Sequence, residues 1–160
     1  MTFPAQQSFI ERIHLAVDAG DLAEVLRLTI EHFQAHTGTI HLLEPDGVLH
    51  LKAASSGIPQ PVLKAVELVP VGKGMAGLAV ERKEPVSVCN LQTDASGDAK
   101  PGARATGMEG CIVVPIFSGE NAVGALGIAN REPRTFTSEE TALLTDVGRA
   151  IASKTAGGSN

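Results

Sequence analysis

The residues able to do chemistry in this chain fall into four groups. Cys89 and Cys111 bracket the stretch 90–110, which carries Asp94, Asp98, Lys100 and Arg104 among Gly97, Gly102, Gly107 and Gly110. Two thiols facing one pocket could act as a redox pair if their α-carbons lie within about 7 Å and a cation such as Lys100 or Arg104 lowers a thiol pKa. The plainer use of such cysteines is as small hydrophobes. His32 and His36 share one helical face, and His41 and His50 are positioned to pair across a hairpin. No HExxH pattern, and no cysteine or acid at a diagnostic spacing, joins them, so no metal site is expected. Nothing singles out an axial haem ligand either.

Arg104 and Asp94 are suited to orienting a polar ligand, Arg104 through bidentate contact with a carboxylate or phosphate. Met75 and Met108 bracket the same region and offer adaptable apolar walls. The expected ligand-binding set is therefore Met75, Cys89, Asp94, Arg104, Met108 and Cys111. No cofactor follows from these residues.

The segment Gly72-Lys73-Gly74-Met75-Ala76-Gly77 matches GxGxxG between a strand and a helix. In a dinucleotide-binding fold such glycines bring backbone N–H groups to a pyrophosphate. The context disagrees. The following helix meets Pro85 after barely two turns, the next strand ends in Cys89-Asn90 without an acid for a ribose, and hairpins flank the unit. Positive φ and close helix–sheet packing are the preferred reading.

These residues must be positioned by the elements around them. Phe9, Ile10, Ile13, Ala16 and Val17 recur at helical spacing from Ser8 to Val17, and Gly20 closes that helix. Asp21 caps a second helix whose apolar face is Leu22, Val25, Leu26, Ile30 and Phe33, with Gly38 at its end. The period then falls to two. Residues 40–43 and 49–53 flank Glu44-Pro45-Asp46-Gly47 as a hairpin, with Ile40 expected opposite Leu51, Leu42 opposite Leu49 and His41 opposite His50. A short helix or turn follows at 59–66, a strand at 67–71, a helix at 75–83 and a strand at 86–89. Cys111–Phe117 and Ala122–Asn130 form a second hairpin, whose first arm is apolar on both faces and so belongs centrally in the sheet. Pro115 in that arm implies a local bulge. Thr137-Ser138-Glu139-Glu140 is a capping box for a last helix running to about Ser153. The expected domain spans 8–154, with tails at 1–7 and 155–160.

The composition is that of one globular domain: 160 residues, 43% hydrophobic and 19% charged. A net charge of −5, five Phe and no Tyr or Trp leave neither a basic face nor stacking platforms, which argues against nucleic acid as a partner. No apolar run approaches the roughly 18 residues that span a bilayer. A soluble, reduced, cytoplasmic protein with no membrane partner is expected.

The glycine–helix unit with its Val86-Ser87-Val88 strand, the variable loop, the strands Ile112-Val113-Val114-Pro115-Ile116 and Val123-Gly124-Ala125-Leu126-Gly127-Ile128, and the Phe136…Glu139-Glu140 lead into the last helix resemble, in that order, GAF domains. The resemblance implies an α+β fold, GAF/PAS-like: a central antiparallel sheet of five or six strands with N- and C-terminal helices on one face. Short helices and the long loop close a small-molecule pocket on the other. It also implies a sensor role in signalling, with homodimerisation through the terminal helices and a downstream signalling partner. Asn130-Arg131…Phe136…Glu139-Glu140 is similar to the Asn-Lys…Phe…Asp-Glu pattern of cyclic-nucleotide-binding members but departs from it in residues and spacing. The chromophore-bearing cysteine segment of bilin binders is absent. Free methionine sulfoxide reductases of this family carry their cysteines inside the long loop, whereas Cys89 and Cys111 flank it. A non-enzymatic sensor is thus the first expectation. A thiol-dependent reductase using Cys89 or Cys111 is the second, and a ligand-free dimerisation module the third.

Overall fold

The computed structural model describes residues 4–98 and 106–158. Helices α1 (Pro4–Asp18) and α2 (Leu22–Phe33) precede β1 (Thr37–Leu43) and β2 (Val48–Ala54). Then come α3 (Gln60–Ala65), β3 (Leu68–Pro70), α4 (Gly74–Arg82), β4 (Val86–Val88), β5 (Gly110–Ser118), β6 (Asn121–Asn130) and α5 (Ser138–Gly158). The strands form one sheet in the order β3-β2-β1-β6-β5-β4, and every neighbouring pair is antiparallel. This is the expected α+β plan, with six strands.

Local signals account for the element ends. The Asp21 carboxylate accepts the Glu24 N–H at 3.0 Å, capping α2. Before α5 the capping box is reciprocal: the Glu140 N–H donates to Thr137 Oγ1 at 3.1 Å and the Thr137 N–H to Glu140 Oε1 at 2.9 Å. The outer helices reach further than their patterns imply, so residues 4–7 and 155–158 are helical. Helix α2, in contrast, ends on Gln34 in the left-handed region (φ 54°) and not at Gly38. Gly38 lies inside β1, where a Cβ would come within 2.9 Å of the Gly127 carbonyl and of Leu26 Cδ1.

The first hairpin departs from its expected register. His41 pairs with Leu51, Leu42 with His50 and Leu43 with Leu49, while Ile40 pairs with Ala53 across a bulge that leaves Lys52 without a strand partner. The extra residue switches faces. Leu49 points into the core on one side of the sheet, Ala53 packs on the other, and His41 and His50 never meet.

Two cores follow, one on each face. Phe9, Ile13 and Val17 of α1, Val25 and Leu26 of α2, and Leu144, Val147 and Ile151 of α5 pack on Ile40, Ile112, Val114, Ile116, Leu126 and Ile128. Gly148 lets α5 sit close to the sheet, 3.4 Å from Ile116 to the position its Cβ would take. The terminal-helix stripes are therefore buried within the chain. The other face packs Leu49, Val69, Met75, Ala79, Val80, Val86, Val88, Leu91, Met108 and Val113. Strand β5 serves both cores, as its apolar pattern requires. Pro115 lies beyond the β4 partner, which reaches only residues 111–113, so its missing donor costs that ladder nothing. The irregularity in this hairpin falls just after it, between Ile116 and Phe117.

Candidate functional site

On the sheet face away from the terminal helices lies a cavity of about 450 Å³, within the range of small-molecule sites. Its floor is the middle of the sheet: Thr37, Thr39 and His41 of β1, Cys111 and Val113 of β5, Gly127 and Ala129 of β6. Pro61, Val62 and Ala65 of α3, with Val66 just after it, form one wall; Gly74, Met75 and Ala76 at the start of α4 form another. Leu91 and Met108, from the two ends of the long loop, close the side. Helix α3 has no buried residue of its own.

The lining is almost wholly apolar. Lys73 is its single charged residue, and no Asp or Glu contributes, among the described residues. His41 is the exception in the floor: it is 3% exposed, and its Nε2–H donates to the Val66 carbonyl at 2.8 Å. Burial lowers its pKa below the ordinary value and outweighs the opposing effect of that hydrogen bond, so the ring is neutral near pH 7.

Of the six expected site residues, the structure brings Met75, Met108 and Cys111 to the cavity. Cys89 and Asp94 are not among its lining residues. Cys89 lies one residue beyond β4, exposed and outside the lining, and Asp94 accepts the Ser96 hydroxyl at 2.7 Å on the surface of the loop. Arg104, like Lys100, lies outside the described residues. Asp98 is held by Arg82. Cys111 pairs with Val88 in the ladder, and burial pushes its thiol up to about 12. Sequence reasoning missed His41 and the Val62–Val66 wall. The signal for His41 was present, as a polar residue between Ile40 and Leu42 in a strand apolar on both sides.

The remaining histidines have separate local uses. His32 stacks on Phe9 at 4.1 Å between ring centres, His36 Nδ1 accepts the Arg131 N–H at 3.0 Å, and His50 Nε2 lies 2.8 Å from Asp46 Oδ2. No cluster able to hold a metal ion occurs among the described residues.

The glycine segment is a packing device. Three of its N–H groups are already committed: Gly72 to the Gly77 carbonyl at 2.8 Å, Lys73 to Pro70 at 3.1 Å and Gly77 to Lys73 at 3.1 Å. None of these is available to cradle a pyrophosphate. A Cβ on Gly77 would fall 2.4 Å from the Pro70 carbonyl, so only glycine lets α4 pack against the preceding turn.

The Asn130…Glu140 segment is likewise structural. Arg134 Nη1 donates to the Phe33 carbonyl at 2.8 Å and to Asn130 Oδ1 at 2.9 Å, while Asn130 Nδ2 donates to the Gln34 carbonyl at 2.8 Å. Arg134 Nη2 meets Glu140 Oε2, and the guanidinium lies 4.4 Å from the centre of the Phe136 ring. None of these residues lines the cavity.

The fold recurs in solved proteins. The GAF domain of an Acinetobacter phosphoenolpyruvate-protein phosphotransferase superposes with a TM-score of 0.80 at 18% identity, covering 98% of this chain and 95% of that one. The free methionine-R-sulfoxide reductase of Neisseria meningitidis, in complex with its substrate, gives 0.73 at 18% identity, covering 96% and 92%. The reduced Staphylococcus aureus enzyme of that kind gives 0.71 at 21%, covering 96% and 99%. At these identities the likeness is one of fold. No curated protein matches the chain at a significant level. The GAF domain family pattern matches residues 18–153, most of the sequence; the chain belongs to the GAF domain family.

Proposed function

We propose that this chain is a non-enzymatic ligand sensor that binds a small, largely apolar molecule in the cavity between the sheet and α3–α4. The single observation carrying this reading is the cavity itself: about 450 Å³ of apolar space on the sheet face opposite the terminal helices. Strands β1, β5 and β6 contribute to both the cavity floor and the core under α1, α2 and α5. A ligand that favours one sheet curvature would therefore bias the packing of those helices. The output would then pass to a second copy of the chain through the terminal helices, or to a downstream signalling protein, in the cytoplasm.

The reductase reading has its fold-level neighbours in its favour, but the thiols of this chain speak for the sensor. A thiol that titrates at about 12 supplies almost no thiolate at neutral pH, and Cys89 lies away from the cavity. Free methionine sulfoxide is a zwitterion, and no described lining residue offers a carboxylate for its ammonium group.

Native mass spectrometry of freshly purified protein tests the proposal, since it reports subunit count and any retained molecule together. A small-molecule adduct lost on denaturation, and missing from the cavity-filling variant Ala76→Phe, is the expected result. An equal adduct in Ala76→Phe would remove the cavity as the site. Turnover of a sulfoxide or peroxide that disappears on replacing either cysteine by Ser would restore the enzyme.

A further inference from the structure

We propose that the cavity selects molecules whose buried end carries an uncharged hydrogen-bond donor, a ring N–H or a hydroxyl, read by Nδ1 of His41. The inference rests on the ligand-binding reading of the cavity and adds the chemistry of what enters it. A carbonyl oxygen can only accept, so the 2.8 Å contact with Val66 places the His41 proton on Nε2. In the neutral ring Nδ1 is then a lone-pair acceptor. No described buried polar side-chain atom is sealed in the protein without a partner. Nδ1 has no protein partner among the described residues, and His41 is 97% removed from solvent while lining the cavity. Its open side is therefore the cavity.

The surroundings sharpen the choice. Val66, Val69, Met75 and Val113 help make the cavity apolar, and a donor lost from water there gains most from being met. An ammonium donor would enter without a counter-charge, because no described lining residue is acidic. A neutral donor on an aromatic or aliphatic body meets both conditions.

Backbone amide NMR titration of the full chain with indole and with benzothiophene tests this, because the two have nearly one shape and differ in the ring N–H. Indole is expected to bind about ten-fold more tightly, with both compounds shifting resonances of residues 37–41, 62–66 and 75–76. The preference should vanish in His41→Leu and persist in His41→Gln, which keeps both an amide donor for Val66 and an acceptor. Equal affinities in the unaltered protein would overturn the donor rule while leaving the cavity reading intact, whether or not His41→Leu folds. A preference unchanged in a folded His41→Leu would also overturn it. If neither compound shifts the cavity residues, the cavity reading itself fails and takes this inference with it.

Discussion

Arg134 holds Glu140 through Nη2 while its Nη1 grips Asn130, and this one guanidinium ties the end of β6 to the ends of two helices. Arg134→Ala would leave the Phe33 carbonyl, Asn130 and Glu140 short of a partner at once. A loss of about 2 kcal/mol is expected, read by urea unfolding, with cavity binding unaltered in the folded fraction. Loss of binding at unchanged stability would instead make this segment a ligand site.

Glu140 sets one arm of the pH dependence. Burial raises its pKa, but the Thr137 N–H and Arg134 together outweigh this and hold it below the ordinary 4.5. A folded value below the unfolded one means that the stabilisation is fully present above pH 4.5 and is lost as pH falls through the folded value. Glu140→Gln should flatten the fall in melting temperature below pH 4.5 and leave the slope above it unchanged.

His41 adds a second component of the same sign at higher pH. Its folded pKa lies below 6.5, so between that lower value and pH 6.5 the unfolded chain binds the extra proton. Stability should thus decline as pH drops from 6.5 and level off once the folded ring also protonates. His41→Gln should remove this component, as chemical unfolding at a series of pH values would reveal.

Cysteine reactivity separates the two thiols. Raising a thiol from 9.0 to about 12 leaves about a thousand-fold less thiolate at neutral pH. Iodoacetamide should modify exposed Cys89 first, with Cys111 alkylated only on unfolding, as mass mapping of the labelled peptides would record. Rapid labelling of Cys111 in the folded protein would reopen the thiol chemistry.

Gly77→Ala is expected to cost about 2 kcal/mol or more, because the new methyl group meets the rigid Pro70 carbonyl and cannot be accommodated by a side-chain shift. A melting temperature equal to that of the unaltered protein would count against the packing role.

Much of this fold is legible in the residues because its signals are local. The Thr137–Glu140 box, the Asp21 cap and the two-sided apolar run at Ile112–Ile116 each fix an element without knowledge of the rest. The hairpin register was not legible. Alternation from Leu49 to Ala53 reads as one face, and only the tertiary demand on both sides of the sheet explains why Lys52 falls out of the ladder. The same limit governs the site. Met75, Met108 and Cys111 sit next to elements with clear patterns, whereas Cys89 and Asp94 depended on the route of a loop that sequence does not specify. In the sequence His41 reads as one partner of His50, because a polar residue in an alternating strand points to water by default. Its place over the cavity follows from β1 being central, a property of strand order.

Helix α3 contributes a cavity wall while burying no residue of its own. Detaching such a segment requires far less free energy than melting the sheet, so a molecule held as proposed would exchange through this side without global unfolding. Residence times would then be short, and occupancy would track a fluctuating concentration rather than store a record of past exposure.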